Sequence, residues 1–103
     1  MKTVNKEEFN QTINEGVTLV DFFATWCGPC RIMGSIVEEI AQAVSDKVKV
    51  IKVDVDDEEE LARNFGIMSI PTLMIFKNGQ IKEKHVGVWQ KEECLGVLKN
   101  YID

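Results

Sequence analysis

The stretch from Val17 to Ala24 is apolar at every position except Thr18 and Asp21, and it leads within a few residues into a second pattern running from Cys30 to Val44. A strand without polar alternation needs cover on both faces, as the central strands of parallel and mixed sheets have. In the second pattern Met33, Ile36, Val37, Ile40, Ala41 and Val44 recur at spacings of three and four, which predicts a long helix with one buried face. A doubly covered strand feeding such a helix calls for helical layers on both sides of a sheet.

The rest of the chain supplies them. A short strand is predicted at Lys2 to Val4, and Asn5 with Glu8 forms a capping-box pattern that opens a helix bearing Phe9 and Ile13 and closing before Gly16. Val48 to Val55 is rich in β-branched residues and predicts another strand. The acids from Asp56 to Glu60 are expected to cap and charge-match a helix that buries Leu61 and Phe65 and ends at Gly66. Thr72 to Phe76 and Ile81 to Val86 flank Asn78-Gly79, a strong hairpin signal, so these two strands are expected to pair antiparallel. Lys91 to Ile102 carries Cys94, Val97, Leu98, Tyr101 and Ile102 on one helical face. The order βαβαβαββα predicts an α/β fold, with a central mixed five-stranded sheet flanked by four helices on both faces.

A chain of 103 residues fits one compact domain spanning 1–103 that can bury a core without metal or disulfide staples. The net charge of -5, with lysines scattered along the chain, argues against a binder of nucleic acid. No apolar window approaches the length of a membrane span, and the N-terminal residues lack a secretory apolar stretch, so the chain as given reads as cytoplasmic and independent of membranes. Three cysteines, an odd number, suit a reducing compartment with one functional pair. A monomer is the preferred state.

That pair is Cys27 and Cys30, within Trp26-Cys27-Gly28-Pro29-Cys30, at the turn from buried strand to helix. Residues three apart at a helix start have Cβ atoms roughly 5–6 Å apart, close enough for a disulfide to close with modest adjustment. The unpaired N–H groups of a helix start favour a thiolate, which marks Cys27 as the nucleophile. Pro29 fixes its own φ and lacks the N–H that a first turn would leave unpaired. Taken alone, Cys-x-x-Cys is shared with zinc sites. Zinc needs about four ligands, and only Cys94 and His85 remain as further Cys or His candidates, distant and without paired spacing.

The segment Val20-Asp21-Phe22-Phe23-Ala24 followed by Trp26-Cys27-Gly28-Pro29-Cys30 resembles the active-site segment of the thioredoxin family. The likeness continues through Phe65-Gly66-Ile67, Ile70-Pro71-Thr72, Phe76-Lys77-Asn78-Gly79 and Val86-Gly87, covering nearly the whole chain. It implies the thioredoxin fold and reduction of protein disulfides by dithiol–disulfide exchange, with Cys27 attacking and Cys30 resolving. It implies no resident cofactor. Recycling falls to a thioredoxin reductase that holds the nicotinamide, since this chain has no glycine-rich nucleotide fingerprint.

Asp21, an acid within an apolar run, is expected to have a pKa raised by desolvation, which suits proton transfer to or from Cys30 and equally fits a buried carboxyl satisfied by hydrogen bonds. The family likeness favours the functional role. It also sets Lys52 beside Asp21 as a coupled pair, where a lysine on a strand would otherwise be a snorkelling surface residue. Base rates favour a trans Ile70-Pro71 bond; the resemblance implies cis, with Pro71 facing the cysteines and the Ile70 backbone offering hydrogen bonds to an extended substrate. Trp26, Gly28, Pro29, Gly87 and Val88 are expected to complete the docking surface for disulfide-containing protein substrates.

Trp89 fits either core or groove. Cys94 reads as core and His85 as a solvated strand residue. Phe23 stands where the family often has a further Trp, Arg31 where it often has Lys, and Ser35 where many members have a helix-kinking proline. Two rivals stay open: an oxidase or isomerase on the same fold, and a redox-inert binding module or assembly subunit.

Overall fold

A computed structural model describes residues 1–102. Its elements are β1 (Lys2–Thr3), α1 (Lys6–Ile13), β2 (Val17–Phe23), α2 (Gly28–Ala43), β3 (Val48–Asp54), α3 (Glu59–Asn64), β4 (Thr72–Lys77), β5 (Gln80–Val86) and α4 (Lys91–Leu98). The strands form one five-stranded sheet in the order β1-β3-β2-β4-β5. β2 runs parallel to β3 and antiparallel to β4, and β1 joins β3 in parallel. The apolar run is therefore the centre of the mixed sheet, as its lack of alternation requires.

Alternate residues of β2 feed two cores. Val17 and Leu19 pack with Met33, Val37 and Ile40 of α2 and with Cys94 and Leu98 of α4. Val20 and Phe22 pack on the other face with Phe9 and Ile13 of α1 and Leu61 of α3. Phe9, Phe65 and Phe76 meet edge-on there, with ring centroids 5.3–5.6 Å apart, a favourable arrangement of aromatic quadrupoles. Asp21 shares the parity of Val17 and Leu19, so its side chain lies on the α2 side of the sheet.

Local signals explain most boundaries. Asn5 and Glu8 form both halves of the capping box at the start of α1. Asn78 and Gly79 have φ of 50° and 84°, the paired left-handed conformation that lets a two-residue turn match strand twist. α2 begins at Gly28, earlier than the apolar period suggests, because Cys27 serves as its N-cap. α4 stops at Leu98, short of the expected Ile102; the N–H groups of Asn100 and Tyr101 bond to Val97 and Leu98, tightening the end into three-residue turns.

The acids before α3 do not cap it. Glu58 occupies the N-cap position without a side-chain bond to the helix. Its carboxylate instead accepts the backbone N–H of Lys6 at 3.1 Å, at the start of α1. An orphan N–H of one helix is thereby satisfied by an acid from another element.

Candidate functional site

Cys27 and Cys30 are joined as a disulfide with Cα atoms 5.2 Å apart. Cys27 holds an extended backbone conformation at the N-cap of α2, with Pro29 in the first turn. The Cys30 N–H points at Cys27 Sγ over 3.2 Å. That donor belongs to the set a helix start leaves unpaired, so it would stabilise negative charge on this sulfur after reduction. Both residues are nearly closed off, 5% and 4% exposed, while Gly28 and Pro29 between them face solvent.

Ile70-Pro71 is the cis peptide bond, as the family resemblance implies. The Ile70 carbonyl oxygen lies 3.8 Å from Cys27 Sγ. Gly87, at a φ of 95° that favours glycine, donates its N–H to the Pro71 carbonyl at 2.8 Å. Gly87 and Val88 are half-buried behind this loop. Trp26 is 69% exposed, yet its indole is oriented by a 2.8 Å hydrogen bond to Asp56 Oδ2. Trp26, Gly28 and Pro29 thus flank the cysteines along the chain, Ile70 packs against the pair, and Gly87 is tied to Pro71, while Val88 packs against the core between the sheet, α2 and α4.

Asp21 is fully buried, and neither carboxylate oxygen has a hydrogen-bond partner among the described residues. Desolvation is the dominant influence and raises its pKa from 3.8 to about 6; the Lys52 charge opposes this more weakly. Asp21 and Lys52 are register partners on neighbouring parallel strands. The Lys52 ammonium, however, sits 4.2 Å from the centroid of the Phe23 ring, a cation–π contact. Lys52 is beside Asp21 in the sheet but bends over the aromatic residue that stands where the family often has Trp. Its influence on the acid is coulombic.

Several residues lie differently from the sequence expectation or were missed by it. His85 is half-buried and stacked on Trp89 rather than simply solvated. Trp89 belongs to the core between the sheet, α2 and α4. The sequence pattern marks neither Asp56, the partner of Trp26, nor Met68, which stands 96% exposed two residues before Ile70. The signal for Met68 is its place two residues before the Ile70-Pro71 motif. No local pattern links Asp56 to Trp26. Cys94 is buried, and desolvation pushes its thiol up to about 12, so it stays protonated and unreactive.

A vicinal pair that can close within one turn, one sulfur faced by a helix N–H and a neighbouring backbone carbonyl, makes and breaks a single S–S bond. This is the chemistry of the thiol–disulfide oxidoreductases. The family model Thioredoxin matches residues 1–100. The chain is 42% identical to the thioredoxin of Listeria monocytogenes over 102 residues, covering 99% of each, and 45% identical to that of Bacillus subtilis over 96 residues, covering 93% of this chain and 92% of the relative. Among solved structures it resembles a mutant thioredoxin from Halobacterium salinarum NRC-1, with a TM-score of 0.91, 30% identity, and coverage of 100% of this chain and 90% of that one. The thioredoxin of Malassezia sympodialis matches with a TM-score of 0.86 at 34% identity, over 98% of this chain and 90% of its own. The chain belongs to the thioredoxin family, and its activity is thiol–disulfide exchange.

Among the described residues, no group of three or more His, Cys, Asp or Glu side chains is placed to hold a metal ion, and no helix is long and apolar enough to cross a membrane.

Proposed function

We propose that the protein works in the reducing direction, as a cytoplasmic carrier that delivers two electrons to protein disulfides. The Cys27 thiolate attacks one sulfur of a substrate disulfide, forming a mixed disulfide and releasing the other substrate sulfur as thiolate. Cys30 loses its proton and attacks Cys27 Sγ, which expels the second substrate thiolate and leaves the Cys27–Cys30 disulfide. Asp21, buried on the α2 side of β2 with its pKa raised to about 6, takes the Cys30 proton in this step and returns one when the disulfide is reopened. Lys52 tempers the rise in that pKa through its charge.

Docking uses the surface around Trp26, Gly28, Pro29, Ile70, Pro71, Gly87 and Val88, where an extended substrate segment pairs with the Ile70 backbone. The observation that carries this reading is the approach of the Ile70 carbonyl to Cys27 Sγ, at 3.8 Å, which sets a backbone docking edge beside the nucleophile. A thioredoxin reductase restores the dithiol.

The test is insulin reduction coupled to a thioredoxin reductase and its nicotinamide. The parent protein is expected to turn over, and Cys27→Ser and Cys30→Ser each to stop. A parent protein that fails to turn over insulin, or a double cysteine variant that keeps full biological activity in the cell, would favour a redox-inert binding module. A redox potential at the oxidising end of the family would instead favour an oxidase.

A further inference from the structure

His85 takes no part in the exchange scheme, yet it backs the loop that carries Gly87 and Val88. It lies near the end of β5, in register with Leu73, on the sheet face that packs against α2 and α4. Its imidazole is parallel to the Trp89 indole, with centroids 4.7 Å apart and planes within 4°. Its Nε2 is 3.2 Å from the Val88 carbonyl oxygen. A carbonyl can only accept, so Nε2 carries the hydrogen and donates it.

The loop is anchored at two other points. The buried Trp89 N–H donates to Met33 Sδ at 3.1 Å, tying the loop to the helix that bears Cys30. The Gly87 N–H donates to Pro71, next to the Ile70 carbonyl that approaches Cys27. Between these anchors stands Val88, whose carbonyl is held by the His85 ring. Gly87, without a side chain and at positive φ, adds no rotational restraint of its own.

We propose that His85 is a positioning residue for substrate docking: its ring clamps Trp89 and the Val88 carbonyl, fixing the loop that protein disulfides press against. The inference rests on the docking role given above to Gly87 and Val88. A protein substrate lying along that surface depends on the clamp, whereas a small disulfide that meets only Cys27 does not. Substrate size should therefore separate the effects.

The experiment measures kcat and KM for insulin, and the rate with a small aromatic disulfide, in His85→Ala, His85→Gln and His85→Phe. Loss of one hydrogen bond and one ring contact is expected to raise the insulin KM about three- to ten-fold in His85→Ala. kcat and the small-disulfide rate should stay near the parent values. Gln keeps an amide donor and Phe keeps a stacking ring, so each is expected to recover part of the loss. An unchanged insulin KM in His85→Ala, a parallel fall with both substrates, or no recovery in either Gln or Phe would overturn the proposal. Val88→Glu serves as the control on docking. If it leaves the insulin KM unchanged, the docking reading fails and the clamp with it; if it raises KM while His85→Ala is silent, only the clamp fails.

Discussion

Replacing Asp21 with asparagine isolates the cost of one buried charge. The carboxyl is fully buried without a hydrogen-bond partner among the described residues, and its pKa is raised from 3.8 to about 6. A raised native pKa means that the folded state binds the proton more tightly than the unfolded state. Below about pH 3 the group is protonated in both states and carries no penalty. As pH rises from there to about 6, the unfolded state ionises first and gains stability, and above the native pKa the full penalty is present. At about 1.4 kcal/mol per pH unit, the interval between the two pKa values corresponds to about 3 kcal/mol of stability lost by neutrality. The asparagine amide does not titrate, so any constant packing change cancels when the two proteins are compared across pH. Urea unfolding of both oxidised proteins from about pH 3 to about pH 7 should show Asp21→Asn gaining about 3 kcal/mol on the parent, roughly 10–20 °C in melting temperature. A difference that stays flat would show that the carboxyl is hydrated or bonded in solution. A difference that falls with pH would mean that Lys52 stabilises the carboxylate more than burial destabilises it.

Two further substitutions probe the frame around the site. Met33→Leu conserves volume but removes the sulfur that accepts the Trp89 N–H, leaving a buried donor unpaired; chemical denaturation should show a loss of about 1–3 kcal/mol, more than a simple aliphatic swap at a site free of polar contacts. Gly87→Ala introduces a side chain where φ is 95°; a loss of about 1–3 kcal/mol in unfolding free energy is expected, together with a higher KM for insulin, and a neutral result would mean that the loop relaxes freely.

Features governed by neighbours in sequence were legible before the structure. The unalternating run at Val17–Phe23 placed the central strand, Asn5 with Glu8 placed the first cap, and Asn78-Gly79 placed the hairpin. Cys27 and Cys30 were found because their whole geometry fits inside one helical turn. Contacts that join distant segments left no such trace. The turn of Lys52 onto Phe23 depends on how a flexible side chain divides itself between an acid and a ring on the next strand. Glu58 lies among acids expected to cap its own helix, yet it reaches Lys6, 52 positions away. The stack of His85 on Trp89 spans a strand end and a loop, where neither the strand period nor the helix period applies. The docking surface proposed above is legible only through family resemblance, because its residues lie far apart in sequence.

The division of labour between the two cysteines is open to direct capture. Reduced Cys30→Ser, which cannot resolve a mixed disulfide, is incubated with insulin, quenched with acid and mapped by peptide mass spectrometry. A stable adduct linked through Cys27 is predicted, with none in a parallel Cys27→Ser sample. An adduct through Cys30 in Cys27→Ser, or attachment at Cys94 in place of Cys27, would contradict the assignment of Cys27 as the attacking thiol.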